Sequence, residues 1–155
     1  MFTTALFTIE HPAGGRFVIV CEPMPVQIPP VLYSADLSEC AAIAQLTETE
    51  ISEMFAQVLR SAGATIVHAH SHVRAGAGLT CTVILRESHA VLHTWPDTAT
   101  VNVDIFSCST GLNSLEAIDN LRWLFGARET CIQEVLRADG HPAGDRHSKL
   151  ISRRA

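Results

Sequence analysis

Residues 79–106 read LTCTVILRESHAVLHTWPDTATVNVDIF. Apolar residues recur here with a period close to two, which is typical of β-strands that bury one face. The alternation is interrupted by the polar Glu87-Ser88-His89 and by the turn Trp95-Pro96-Asp97. The stretch therefore predicts three strands joined by short turns, as antiparallel neighbours are: Leu79–Leu85, Ala90–Trp95 and Thr100–Phe106.

Two helices are predicted outside this stretch. The first begins at the capping box Thr47-Glu48-Thr49-Glu50, keeps apolar residues at helical spacing as far as Ala62, and stops at Gly63. The second begins at the capping box Asn113–Glu116 and stops at Gly126. Each helix has a single apolar stripe, which one sheet face would cover.

The same alternation predicts further strands at Val31–Leu37, Thr65–His72 and Thr130–Leu136. Helices with one apolar stripe, set among strands that short turns connect, indicate an antiparallel sheet with both helices on one face. The predicted fold class is therefore α+β, a two-layer sandwich.

The chain divides into three segments. Residues 31–138 hold the elements above and are expected to form one domain, because 155 residues suffice for one hydrophobic core. Residues 1–30 form an N-terminal extension in which two apolar runs, Phe2–Ile9 and Phe17–Cys21, flank a turn-rich stretch and predict a hairpin. Residues 139–155 form a polar tail that is expected to lack regular structure.

The composition limits the kinds of partner that the chain can bind. The net charge is −5 and the charged fraction 17%, so no basic field is available for a nucleic acid or an anionic membrane. No apolar run reaches the length of a membrane span, and residues 1–7 lack the pattern of a signal peptide. A cytosolic protein with a small-molecule partner is expected.

The five cysteines are odd in number, widely spaced and free of any CxxC pair, which fits neither a disulfide framework nor a zinc ribbon. Cys108 stands apart, because it follows a predicted strand and precedes the second helix, where a thiol can be exposed and its pKa lowered. The alternative for any cysteine is a small buried residue. All are expected to be free thiols: Cys21, Cys40, Cys81, Cys108 and Cys131.

His68, His70 and His72 alternate along one predicted strand and so share a face. A metal site built on a strand needs ligands from another element, and no HExxH or carboxylate-rich partner motif is present. We therefore predict no metal site and place these histidines at the surface or in a pocket. A metal-binding or noncatalytic interaction domain is the remote alternative.

Residues 87–97 place an acid, a hydroxyl, two histidines and a tryptophan between two apolar strands. A serine protease is excluded as an interpretation, because Ser88 lacks a GxSxG elbow. Glu87-Ser88-His89, His93-Thr94-Trp95-Pro96-Asp97 and residues 104–109 (DIFSCS) instead resemble the signature of S-adenosylmethionine decarboxylases of the short bacterial and archaeal type. The resemblance runs in order and spacing from Val31 to about Leu136.

The resemblance implies a proenzyme that cuts itself between Glu87 and Ser88 and turns Ser88 into a pyruvoyl group. That cofactor forms a Schiff base with a substrate amine and accepts the electrons released when carbon dioxide leaves. His93 would act as a base in processing, Thr80 stands where the family has an assisting serine, and Cys108 would donate a proton after decarboxylation. A homodimer with facing sheets is also implied.

The resemblance further implies S-adenosylmethionine as the substrate and spermidine biosynthesis as the pathway. Trp95, Arg74 and Asp97 are then expected in the substrate pocket. Arg74, however, replaces an aromatic residue that would stack on adenine, and Asp97 replaces a glutamate. A pyruvoyl-dependent L-ornithine or L-arginine decarboxylase is therefore the alternative with the same mechanism.

Overall fold

The computed structural model describes residues 5–11, 15–21, 30–74, 78–86, 88–137 and 148–154, the first two ranges by their backbone alone. The helices are α1 (Glu48–Ser61) and α2 (Ser114–Phe125), with 3₁₀ turns at Ile43–Gln45 and Pro96–Thr98. Neither helix of this described part is long and apolar enough to cross a membrane. The strands are β1 (Ala5–His11), β2 (Gly15–Cys21), β3 (Val31–Ser38), β4 (Ile66–Arg74), β5 (Gly78–Leu85), β6 (Ser88–Trp95), β7 (Thr100–Ser107), β8 (Glu129–Leu136) and β9 (Ser148–Arg154).

Seven strands form one antiparallel sheet in the order β4-β5-β6-β7-β3-β8-β9. Its register aligns buried residues in rows: Cys81 lies opposite Leu92, Leu92 opposite Val103, Val103 opposite Ala35, and Ala35 opposite Ile132. Each of these residues is at most 1% exposed. One face of the sheet is therefore buried, as the period of two in the sequence predicts.

Both helices pack on this buried face, where Phe55 of α1 and Phe125 of α2 are fully enclosed. Helix α1 begins at the predicted capping box, since Thr47 Oγ1 accepts a hydrogen bond from the Glu50 amide (3.3 Å) and Glu50 Oε2 accepts one from the Thr47 amide (2.8 Å). Helix α2 ends at Gly126, whose φ of 63° is left-handed. The predicted α+β two-layer sandwich is confirmed.

The predicted strands are found within about two residues of their expected ends. The largest shift at a start is in β6, which begins at Ser88 rather than at Ala90, because Ser88 pairs with Leu85 across the turn from β5. Ser88 thus belongs to the sheet and not to a loop in front of it.

The two terminal segments also contain strands. Strands β1 and β2 pair as an antiparallel hairpin that is a sheet of its own, with Phe7 opposite Ile19. The expectation of a tail without regular structure is wrong for its last part, since β9 pairs with β8 at the sheet edge. Ile151 lies opposite Ile132 and packs against the core, and Lys149 lies opposite Glu134, so apolar contact and opposite charge both favour this pairing. Residues 139–147 lie outside the described residues.

Candidate active site

Ser88 and Cys108 lie at the ends of neighbouring strands. Strand β6 begins at Ser88, and His89 pairs with Phe106 of β7. Continuing that register by one residue sets Ser88 opposite Ser107, so that Cys108 follows at the same end of the sheet. Because neighbouring strands are about 4.8 Å apart, the backbones of Ser88 and Cys108 lie close together at this end of the sheet. Cys108 is exposed there, whereas Cys40 and Cys81 are buried. Glu87 lies outside the described residues.

A cavity of about 90 Å³ opens beside Ser88. Its wall is built from the segment after α1, the turn from β5 to β6, and the loop from β7 to α2. The first and third segments are in close contact: the Asn113 amide donates to the Ala62 carbonyl (2.9 Å), and a Cβ at Gly63, where φ is 98°, would clash with the Gly111 carbonyl oxygen. The lining residues include Ser88, Ser109, Arg86, Thr65, Gly63 and Gly111.

Hydrogen bonds fix the loop that presents Cys108. The buried Ser107 hydroxyl accepts from the Ser109 amide (3.2 Å), and the Ser109 hydroxyl accepts from the Gly111 amide (3.0 Å). Short polar side chains that bond to nearby backbone stabilise such turns. Cys108, which lies between these two serines, is exposed in this loop.

The face of the sheet that the helices leave uncovered is here called the open face. It carries the predicted processing pair, in which Thr80 Oγ1 lies 2.9 Å from Nδ1 of His93 across β5 and β6. His93 is five residues from Ser88 on the same strand, so about 16 Å separates their Cα atoms and their side chains point to opposite faces. Within one chain, the structure does not bring the pair to Ser88.

The three neighbouring histidines occupy the outer part of the open face. His68, His70 and His72 are exposed on the edge strand β4, and His72 lies opposite Thr80. The described residues contain no group of three or more histidine, cysteine or carboxylate side chains that could hold a metal ion.

The predicted pocket residues Arg74, Trp95 and Asp97 gather at the end of β6 that is opposite to Ser88. The Arg74 guanidinium carbon lies 4.1 Å from the centroid of the Trp95 ring, and its Nη2 donates to the Thr94 carbonyl (3.1 Å). Asp97 is exposed in the 3₁₀ turn that follows β6. The Arg74 guanidinium is therefore stacked on the ring of Trp95, a residue that was expected to line the substrate pocket.

Two residues that the sequence analysis missed complete this cluster. Trp95 Nε1 donates to Asn102 Oδ1 (2.6 Å), and Asn102 Nδ2 donates to Asp36 Oδ1 (2.6 Å). These contacts connect β6, β7 and β3 on the open face. The two ends of the second bond are 66 residues apart in the chain, so no local pattern could have identified them.

A second missed cluster lies on the open face at the Ser88 end. The ring centroids of His89 and Phe106 are 5.3 Å apart, and the Arg137 guanidinium carbon lies 5.9 Å from the centroid of the Phe106 ring. The Arg137 amide donates to the Pro30 carbonyl (2.8 Å), which joins the end of β8 to the start of β3. An aromatic ring, an imidazole and a guanidinium therefore lie together on the open face, at the end of the sheet where β6 begins.

Comparisons with known proteins agree on one family. Residues 32–138 match the family model described as S-adenosylmethionine decarboxylase. The chain is 33% identical over 95 residues to the S-adenosylmethionine decarboxylase proenzyme of Pseudomonas aeruginosa strain LESB58, covering 61% of this chain and 59% of that protein. It is 34% identical over 94 residues to the proenzyme of the same name from Clostridium botulinum strain Langeland, covering 60% and 81%. The match thus spans less than two thirds of the Pseudomonas protein.

A solved structure shares the fold. The crystal structure of the adenosylmethionine decarboxylase from Aquifex aeolicus VF5 aligns with a TM-score of 0.64 at 20% sequence identity, over 77% of this chain and 99% of that chain. At this identity the likeness shows the architecture alone, and the chemistry depends on the residues described above.

Proposed function

The chain belongs to the S-adenosylmethionine decarboxylase family, and from that premise we propose that it is a self-cleaving decarboxylase whose pyruvoyl group is made from Ser88. The observation that carries the proposal is the position of Ser88 and Cys108 at adjoining strand ends, where Ser88 also lines a cavity. S-adenosylmethionine is the substrate that the family favours, with spermidine biosynthesis as its purpose.

Maturation would use the Ser88 hydroxyl. Its oxygen attacks the Glu87 carbonyl carbon and the peptide C–N bond breaks, which leaves an ester. Loss of the Ser88 α-proton then expels the Glu87 carboxylate, and hydrolysis of the remaining dehydroalanine releases ammonia and leaves the pyruvoyl group. The bond to be cut joins the two-residue connection after β5 to Ser88, the first residue of β6, so every residue of both strands stays in its strand after cleavage.

The two fragments would remain interlocked. The first fragment supplies β3, β4 and β5, and the second supplies β6, β7 and β8. In the sheet, β3 lies between β7 and β8, so a strand of the first fragment is hydrogen-bonded on both sides to the second. The fragments therefore cannot separate without unfolding the sheet.

The pyruvoyl group supplies a ketone that captures a substrate amine and takes up the electrons released with carbon dioxide. The chain must then deliver a proton to the carbon that lost the carboxylate. The Cys108 thiol is exposed at the strand end next to Ser88, and we assign it that role. Proton donation by a positioned side chain typically contributes about 10²- to 10⁴-fold to the rate.

A homodimer through the open face would supply the processing pair. The open face carries half-buried apolar residues, including Leu32, Val91 and Phe106, that no described helix covers. A second copy with its strands running the opposite way would set its own Thr80–His93 pair near Ser88 of the first. This arrangement explains how His93 could act although about 16 Å separates it from Ser88 of its own chain.

Arg74 favours a second substrate class, L-ornithine or L-arginine. The Arg74 guanidinium covers a face of the Trp95 ring, so adenine cannot stack on that face. The alternative uses the same maturation and the same proton donor.

The test is to purify the full chain and measure its intact mass, then assay carbon dioxide release from S-adenosylmethionine, L-ornithine and L-arginine. Two fragments meeting at Glu87 and Ser88, with release from one of the three substrates, are expected. Ser88→Ala should remain one inactive chain. An uncut wild-type chain that releases no carbon dioxide would contradict the proposal.

A further inference from the structure

Arg137 directly follows β8, at the side of the sheet where Ser88 begins β6. The Pro30 carbonyl accepts a hydrogen bond from the Arg137 amide, and the next residue, Val31, begins β3 and lies opposite Ser107. Ser107 in turn continues the register to Ser88. Three strand spacings, about 14 Å between Cα atoms, thus separate Arg137 from Ser88.

The Arg137 side chain shortens this distance. Its guanidinium carbon lies 5.9 Å from the centroid of the Phe106 ring, two strands towards Ser88. Phe106 lies on the open face of β7 and precedes Cys108, in the loop after that strand, by two residues. No carboxylate of the described residues lies within ion-pairing distance of this guanidinium. The structure therefore places a positive charge on the open face, at the end of the sheet where β6 begins.

We propose that Arg137 binds the α-carboxylate of the substrate, an inference that rests on the proposed decarboxylase function. The amine of any substrate must reach the carbonyl carbon that Ser88 becomes, and an α-carboxylate is two bonds from that amine. It is also the only anionic group that S-adenosylmethionine, L-ornithine and L-arginine carry. Arginine pairs with carboxylates through two parallel hydrogen bonds, which orients as well as attracts.

Two carboxylates on the open face suit the cationic end of a substrate whose carboxylate is bound by Arg137. Asp104 lies on the open face two residues further into β7 than Phe106, about 7 Å away along the strand. Asp36 lies beyond it, bonded to Asn102. A substrate whose carboxylate meets Arg137 would extend its cationic end towards these carboxylates. The open face thus offers a positive charge at the Ser88 end and negative charges further along.

The pairing has a kinetic signature. The interaction is present in the bound substrate and disappears as carbon dioxide departs, so it stabilises the ground state at least as much as the transition state. Its loss should raise KM without lowering kcat. It should leave the affinity for the amine product unchanged, because that product has no carboxylate.

Arg137→Gln tests the inference against Arg128→Gln as a matched control. Arg128 precedes the other end of β8, and its amide likewise bonds to an end of β3, at the Ser38 carbonyl (3.1 Å). Among the described residues, its guanidinium forms a surface ion pair with Glu39 (3.5 Å). In cleaved protein, KM for whichever of S-adenosylmethionine, L-ornithine or L-arginine is turned over should rise about 10- to 100-fold in Arg137→Gln. The inhibition constant of the matching amine (decarboxylated S-adenosylmethionine, putrescine or agmatine) should stay within about twofold. Arg128→Gln should change neither.

An unchanged KM in Arg137→Gln would overturn the inference, and so would an equal loss of affinity for substrate and product, since that would indicate damage to the site as a whole. Arg137→Lys, which keeps the charge but not the planar fork, should recover part of the affinity. Wild-type protein that is uncut and inactive would instead refute the proposed function, so the two failures are distinguishable.

Discussion

Thr80 Oγ1 lies 2.9 Å from Nδ1 of His93, on the face of the sheet that carries no helix. His93 and Ser88 share strand β6 but point to opposite faces, about 16 Å apart. A processing role for His93 therefore requires a second copy of the chain.

Mixed dimers can test that requirement. Chains with His93→Ala should mature slowly or not at all when expressed alone. Coexpression with Ser88→Ala, which cannot be cut but keeps His93, should restore cleavage of the His93→Ala chain. Gel analysis of differently tagged chains measures this. Rapid cleavage of His93→Ala alone would remove His93 from the role, and failure of the mixture to rescue would argue against action between subunits.

The interlocked strands predict that cleavage leaves the assembly intact. Because β3 is hydrogen-bonded between β7 and β8, residues 1–87 and 88–155 should elute together in size-exclusion chromatography without denaturant. They should separate only in denaturant, with loss of the strand signal in circular dichroism. Separation of folded fragments in native buffer would contradict the observed strand order.

Cys108→Ala should separate maturation from turnover. The variant should still be cut at Ser88, whereas kcat should fall by about 10²- to 10⁴-fold, the usual contribution of a positioned acid. Cys131→Ala is the matched control, because that thiol is half-buried on β8 and away from Ser88. Mass spectrometry of the second fragment after turnover should show pyruvoyl replaced by alanine, the result of misplaced protonation. If Cys108→Ala were cleaved and had normal turnover, Cys108 would not be the proton donor.

Arg74→Phe should shift substrate preference towards S-adenosylmethionine. The substitution provides an aromatic face on which adenine can stack and which L-ornithine cannot use, and such stacking is worth about 1 to 3 kcal/mol on aromatic side chains elsewhere. The ratio of kcat/KM for S-adenosylmethionine to that for L-ornithine should rise about 10-fold or more. Arg60→Phe, on the exposed side of α1, controls for a general effect of added apolar surface. An unchanged ratio would remove Arg74 from substrate selection.

Cys40 predicts a pH dependence of stability. Burial raises the pKa of its thiol from 9.0 to about 11, and a hydrogen bond with the Val101 backbone offsets only part of this. The folded protein therefore holds a proton that the unfolded chain loses, so the free energy of unfolding should fall as the pH rises from 9 to about 11. The loss should be about 2 kcal/mol. Urea unfolding of wild type and Cys40→Ala at several pH values in this range measures the loss. If the free energy of unfolding fell equally with pH in the two proteins, the loss would not come from Cys40.

Local patterns predicted most of the elements correctly. The capping box at Thr47 and Glu50 and the left-handed Gly126 determine helix ends through contacts within a few residues, which the sequence displays directly. Strand β9 escaped prediction because its polar sequence gains stability only by pairing with β8, through Ile151 opposite Ile132. Its existence depends on an edge that local periodicity cannot reveal.

The sequence by itself therefore determined the elements, their buried face and the motif that contains Ser88 and Cys108, because hydrophobic period and capping act over short distances along the chain. Tertiary structure alone decided that β3 enters between β7 and β8, that Asn102 meets Asp36, that Arg137 reaches Phe106, and that His93 lies far from Ser88. The physical reason is that strand order and register minimise exposed apolar area and unpaired backbone over the whole sheet. Strand order and register decide which side chains become neighbours on the open face. The spacing of those residues in the sequence therefore does not predict their contacts.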